Sequence, residues 1–276
     1  MLQTWMNPAD LAPGDAKCVG RDWTGFELRR VRDTESEDFQ TAYGALWAEF
    51  GAKHEMEAVD VLTRRLQWNP RELLNGRGLL YELLLVTKDG AFVGVRDHTA
   101  IVDPAHGMAI VHLSHNLVAP EWRRCGIAGW LRALPVSAAR AALVAQGLPD
   151  TSPIYLVAEM EHADPADDAR TTRLSAYGKA GYRKLAGLPY LQPDFRAPEE
   201  IDVSGGPRPL SLSLLVREVG RESRTGLPSE TVRHIAESLY RMYGAEFRDL
   251  DMACVWENFD RFPHSGEIAL VPPTEP

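Results

Sequence analysis

Cysteine is scarce in this sequence. Its 276 residues include three, Cys18, Cys125 and Cys254, an odd number at wide spacing that builds neither a disulfide framework nor a cysteine-based zinc site. No apolar run reaches the roughly 18 residues that a bilayer crossing needs. The opening MLQTWMNPADLAPGDAKCVG lacks a basic stretch leading into an apolar core, so export and membrane association are not expected and a cytoplasmic location is. Blocks of like charge are missing as well: 30 basic against 39 acidic side chains give a net charge of -9, and no basic stripe exists to bind nucleic acid. Repeats of solenoid length are absent. What is left is ordinary globular composition, 45% hydrophobic and 25% charged, which suits one enlarged domain or a domain with an appendage.

Before Trp23 the chain reads as an irregular arm. FELRRVR (residues 26–32) then alternates apolar and charged side chains as a half-exposed strand does. Phe39, Leu46, Trp47 and Phe50, followed by Met56, Val59, Leu62 and Leu66, recur near helical period and predict two helices. YELLLVTKDGAFVGV supplies two apolar runs around Asp89-Gly90, a pair suited to the positive φ angles of a tight hairpin. A further turn near Asp103 to Gly107 and a strand ending near Val118 extend this into a three-stranded antiparallel meander. GIAGWLRALPVSAARAALVAQG predicts a helix that Pro135 kinks or interrupts. PIYLVAEME is another strand, RTTRLSAYGKAG a short helix closing on Gly181, and SLSLLVREV a last strand. Beyond it, Val232, Ile235, Leu239 and Met242 form the apolar stripe of a helix led by Ser229 as N-cap. That stripe covers the parent domain or a second copy of the chain, so a homodimer is one expectation.

The chemistry concentrates at VAPEWRRCGIAGW. A helix start leaves unpaired N–H groups and partial positive charge, and small residues let an anion approach them. Gly126, Ala128 and Gly129 are small, and Arg123 and Arg124 add charge-assisted donors. The competing reading is an ordinary strand-to-helix turn with surface arginines. Order along the chain decides between them: Arg123, Gly126 and Ala128 fall on the Arg/Gln-x-x-Gly-x-Gly/Ala signature, so the segment resembles the acyl-CoA-binding motif of the GCN5-related N-acetyltransferases, over roughly residues 26–219. Tyr177-Gly178-Lys179-Ala180-Gly181-Tyr182 stands where that family carries a helix ending in Tyr-x-x-Gly-aromatic.

The resemblance implies an α/β fold with a mixed, mostly antiparallel central sheet flanked by helices, carrying here a C-terminal helical extension. The expected division is an arm at 1–25, a catalytic domain at 26–219 and the extension at 220–276. It implies acetyl-CoA as cosubstrate, a primary amine as acceptor, direct attack in a ternary complex and no metal. Backbone groups of Leu117 and Val118 would bond the pantetheine arm. The amides of Arg124, Cys125, Gly126, Ile127, Ala128 and Gly129 would hold the pyrophosphate. Tyr177 would protonate the departing thiolate, a transfer made nearly thermoneutral by neighbouring reference pKa values; otherwise it is a core aromatic.

An amine acceptor also needs a proton acceptor. Period-two alternation puts Glu159 and Glu161 on one face, and Glu161, nearer the strand end, is the expected base. His115 and His112 are rivals, placed by the same alternation on opposite faces, which argues against a metal pair in HLSH. The run Arg96-Asp97-His98 lines either an acceptor pocket or an exposed edge. Two departures from the family pattern are Pro135 and the acidic insert at 162–168, and Arg170 stands near where many members carry asparagine. A non-catalytic acyl-CoA-binding module and an interaction protein that has lost the ligand are the other readings.

Overall fold

The computed structural model describes residues 7–275 apart from residues 19 and 54; the first six residues and residue 19 of the expected arm lie outside the described residues. The alternation of FELRRV produces β1 (Phe26–Val31), followed by helices α1 (Glu37–Phe50) and α2 (Val59–Arg65) and the short strand β2 (Leu73–Leu74). The meander is β3 (Arg77–Lys88), β4 (Ala91–Asp103) and β5 (Met108–His112), and a separate strand β6 (Asn116–Val118) comes next. Asp89 and Gly90 take φ of 49° and 82°, as a two-residue hairpin of that twist requires. Helix α3 (Ile127–Ala145), β7 (Ile154–Met160), α4 (Asp168–Lys179) and β8 (Arg183–Leu185) complete the expected order.

Then come β9 (Leu191–Gln192), α5 (Pro198–Val203), β10 (Leu210–Ser211) and β11 (Ser213–Glu218). The expected last strand is β11, and it is not the last. The C-terminal segment adds β12 (Gly226–Pro228), α6 (Ser229–Tyr243), α7 (Asp249–Phe259) and β13 (Glu267–Val271), so the extension is not purely helical. β13 pairs with β8 and brings β12 with it.

The main sheet runs β1-β3-β4-β5-β7-β11-β8-β13-β12, with β6 on β4 and β2 on β3. Among the described pairings only β5 with β7 is parallel, which makes the sheet mixed and mostly antiparallel, as expected. Both faces are covered. Helices α3 and α4 pack on one, through Val136, Ala139, Leu143 and Leu174 against Ala100, Val102, Val111 and Leu156. On the other, α1 and α2 cover Leu83, Leu85 and Val95, and α6 covers Ile101, Ile110 and Val157. Two-sided burial explains why YELLLV is continuous rather than alternating.

Three local expectations are corrected. Pro135 does not interrupt α3, which is continuous over 19 residues; the helix is anchored by its buried face, so tertiary packing offsets the missing backbone bond. Ser229 does not cap α6 with its side chain; its Oγ donates to the Ser265 carbonyl instead. Met56 is buried but precedes α2. α3 is long and apolar enough to span a membrane by length and composition, but 67% of that window is buried in the protein, the situation of a core helix.

Candidate active site

Strands β5 and β7 stay paired from Ala109↔Ile154 to His112↔Val157, and the Leu113 amide still reaches the Val157 carbonyl at 2.9 Å. Beyond that the chain breaks out of strand geometry at residues 113–115 and β6 pairs with β4 alone. β7 continues to Met160 bonded only to β11. The sheet therefore opens between β6 and the end of β7. Ala119 N–H bonds the Val93 carbonyl and Asp97 N–H bonds His115, so antiparallel alternation turns Leu117 toward β4 and leaves the N–H groups of Asn116 and Val118 facing the gap. Of the two expected pantetheine partners only Val118 has its amide on the open edge; Leu117 is committed to Val95.

The segment after β6 builds the expected cradle. Arg124 and Gly126 adopt positive φ of 66° and 98°, and successive residues of this kind turn their N–H groups into a shared concavity. The amides of Arg124, Gly126, Ile127 and Ala128 bond no acceptor among the described residues, whereas Cys125 and Gly129 bond Trp122 and Gly126. Arg123 folds back, its Nε donating to the Val118 carbonyl at 3.1 Å. The room beside the glycines is not open. A β-carbon on Gly129 would lie 2.6 Å from Cys18 Sγ and 3.0 Å from Asp15 Cβ, and one on Gly126 would meet Arg21 and Cys18 at 3.0 and 3.3 Å. The arm runs along α3 toward α4: Asp15 pairs with Arg132 at 2.5 Å, Asp10 with Arg140 at 2.7 Å, and Gly14 lies against the Lys179 carbonyl. Gly126 and Gly129, expected to admit a ligand, admit this arm.

Tyr177 lies on the α3–α4 face, half-buried, its ring edge-on to Tyr182 at 5.0 Å. Arg96 reaches that same face from β4. It is fully buried with none of its guanidinium nitrogens hydrogen-bonded among the described residues, and the hydroxyl of Tyr182 is likewise unpartnered there. Burial lowers the Arg96 pKa, against the opposing influence of Tyr177 and Tyr182. His98 and Glu82 lie 3.4 Å apart, both buried. The run Arg96-Asp97-His98 is thus neither exposed edge nor open pocket.

The two glutamates do not share a site: Glu161 turns to the α4 side and Glu159 to the α6 side. Glu161 lies past the end of β7 and pairs with Arg170 at 3.1 Å and with Arg173. The side chain of Glu159 is buried and accepts from His112 Nε2 at 3.0 Å, Tyr243 at 2.6 Å, Gln192 at 2.5 Å and Tyr190. Burial alone would raise its pKa; His112 and the hydroxyl donors hold it below the usual carboxylate value. Ser114 Oγ sits 3.2 Å from the second nitrogen of His112, so the imidazole bridges the carboxylate and the strand break.

Both histidines lie on the face of α1 and α6, a second correction. The break at residues 113–115 cancels the alternation that would separate them. His115 Nδ1 meets Asp97 at 3.0 Å and Nε2 the Glu55 carbonyl at 2.8 Å. Although burial opposes it, Asp97 lifts the His115 pKa to about 9, and a doubly donating imidazolium has no lone pair to accept a proton. Sequence reasoning missed Tyr190, Gln192 and Tyr243, which come from a loop, a two-residue strand and the extension, and carry no motif.

No family model matches the chain and no relative is found among curated proteins. Solved structures do align with it. Ard1 from Thermoplasma volcanium aligns with 71% of this chain and 99% of its own length, at 15% identity and a TM-score of 0.41. An aminoglycoside acetyltransferase from an uncultured soil metagenomic sample aligns with 57% and 88%, at 15% and 0.38. A tandem GNAT protein from the clavulanic acid biosynthesis pathway aligns with 60% and 46%, at 18% and 0.37. The chain's own order of elements, from β1 through the meander, α3, β7, α4 and β8 to β11, is the one the motif resemblance implied.

Proposed function

We propose that the protein is an N-acetyltransferase that passes an acetyl group from acetyl-CoA to a primary amine in a ternary complex, in the cytoplasm. The observation that carries this reading is the opening between β6 and β7 beside four unpartnered amides at the start of α3. Those amides suit a pyrophosphate, and the free edge of β6 suits an extended pantetheine. A thioester at the gap would have Tyr177 on one side and the His112–Glu159 pair on the other. Glu159 fixes one nitrogen of His112 as a donor, leaving the nitrogen near Ser114 to accept a proton from the amine. An amide of β6 is available to the tetrahedral oxyanion, and alignment of the reactants supplies much of the remaining barrier.

The arm seated against Gly126 and Gly129 favours a second reading, an interaction protein that keeps the fold and fills its own ligand groove. Calorimetry with acetyl-CoA, followed by a free-thiol assay over an amine panel, separates the two. Binding with thiol release supports the transferase. No heat at saturating acetyl-CoA removes it, and binding without release leaves a CoA-binding module. In the transferase, Tyr177→Phe is expected to lower kcat at least tenfold with acetyl-CoA affinity unchanged, as loss of an acid of this kind does.

A further inference from the structure

Away from the sheet opening, the turn joining β4 to β5 meets helix α6. Asp103 Oδ1 accepts the amides of Ala105 and His106 at 3.1 and 3.3 Å. Its Oδ2 stands 2.8 Å from His106 Nδ1 and 3.0 Å from Arg77. His234 of α6 faces the His106 ring, with centroids 3.5 Å apart and planes tilted by 31°. One donor atom from each of Asp103, His106 and His234 lies within 4.8 Å of the other two.

We propose that Asp103, His106 and His234 bind a divalent first-row transition cation of the zinc type. Two imidazoles and a carboxylate are a donor set these ions take, and two features favour an ion over a hydrogen-bonded cluster. Both ring nitrogens of His234 are buried with no hydrogen-bond partner among the described residues. Its neighbouring carboxylates, Glu230 and Glu237, stand at 3.6 and 4.0 Å. That is beyond hydrogen-bond reach but close to the roughly 3.4 Å between two donors sharing one ion at bonds of about 2.1 Å.

The ion takes the place of the proton between His106 Nδ1 and Asp103 Oδ2, and the neutral ring then carries its one proton on Nε2. The half-exposed His106 ring turns out of its stack to open the coordination angle. Arg77 stays on Asp103, and Glu237 supplies negative charge on the α6 side. The result is a staple between the β4–β5 turn and the helix that delivers Tyr243 to Glu159. The two histidines are 128 positions apart, so no sequence spacing announces the site.

The test uses untagged full-length protein stripped with EDTA and dialysed at pH 7.5. Zinc, cobalt, magnesium and calcium ions are titrated separately, reading bound metal by equilibrium dialysis and Tm by thermal unfolding. One zinc or cobalt per chain is expected, with a Tm rise of several degrees and no rise with magnesium or calcium. His106→Ala, a change on an exposed turn, is expected to weaken zinc binding more than tenfold, and His234→Gln to do the same. Failure to bind zinc, undiminished binding by both variants, or an equal response to magnesium overturns the proposal.

Discussion

Arg96 sets the terms at the residue scale. A guanidinium buried without hydrogen bonds is among the most costly arrangements a core can hold, and Arg96 holds it beneath α3 and beside Tyr177 and Tyr182. Replacing it with an apolar side chain of similar length removes that cost. Arg96→Met is therefore expected to raise unfolding stability by about 1–4 kcal/mol, read as a higher urea midpoint with an unchanged m-value. A loss of stability would mean that the arginine is internally satisfied.

The Asp97–His115 pair makes a second prediction at this scale. The folded pKa of His115 is raised to about 9 from 6.5, so its contribution is full below pH 6.5 and disappears as pH climbs through 9. Asp97 is the mirror case. Burial opposes the shift, but His115 lowers its pKa to about 2 from 3.8, and its contribution is full above pH 3.8 and lost as pH falls through 2. Stability measured by urea unfolding should be flat between about pH 4 and 6.5 and then decline toward pH 9, by an amount on the order of 3 kcal/mol. His115→Asn should flatten that alkaline decline. The sequence made Glu159 legible as inward-facing, because alternation holds within β7. It misplaced His115, because alternation cannot see the break at residues 113–115.

At the scale of elements, the junction of the arm with α3 is where expectation and structure part most usefully. The helix start and its unpartnered amides follow from Arg-Cys-Gly-Ile-Ala-Gly read as a local motif; the left-handed turn at Arg124 does not. What the motif could not convey is who uses the space, since a glycine admits a backbone, a ligand or a distant cysteine equally well. Gly129→Ala tests that occupancy. Its β-carbon would come within 2.6 Å of Cys18 Sγ, so the arm must shift, at a cost of about 1–3 kcal/mol. Faster hydrogen exchange over residues 10–18 is the expected readout. Adding Cys18→Ala to the same chain should recover most of the loss, giving a coupling that two independent sites would not produce.

For the whole molecule, the question is whether the C-terminal extension is an appendage or part of the fold. The apolar stripe Val232, Ile235, Leu239, Met242 was legible, but its target was not, because a stripe records only that something covers it. The structure seats it on the sheet of the same chain, in one buried cluster with Ile101, Ile110, Val157 and Leu214. β13 then bonds to β8, which lies beside β11. Backbone and core thus both run across the boundary near residue 220, so no weakly joined seam separates the extension from the sheet. Leu239→Ala, at a fully buried position, should cost about 2–5 kcal/mol. Calorimetry should show a single transition moving to lower temperature with its cooperativity intact. Two transitions, with only the first displaced, would instead make the extension an independent unit docked on a sheet that folds without it.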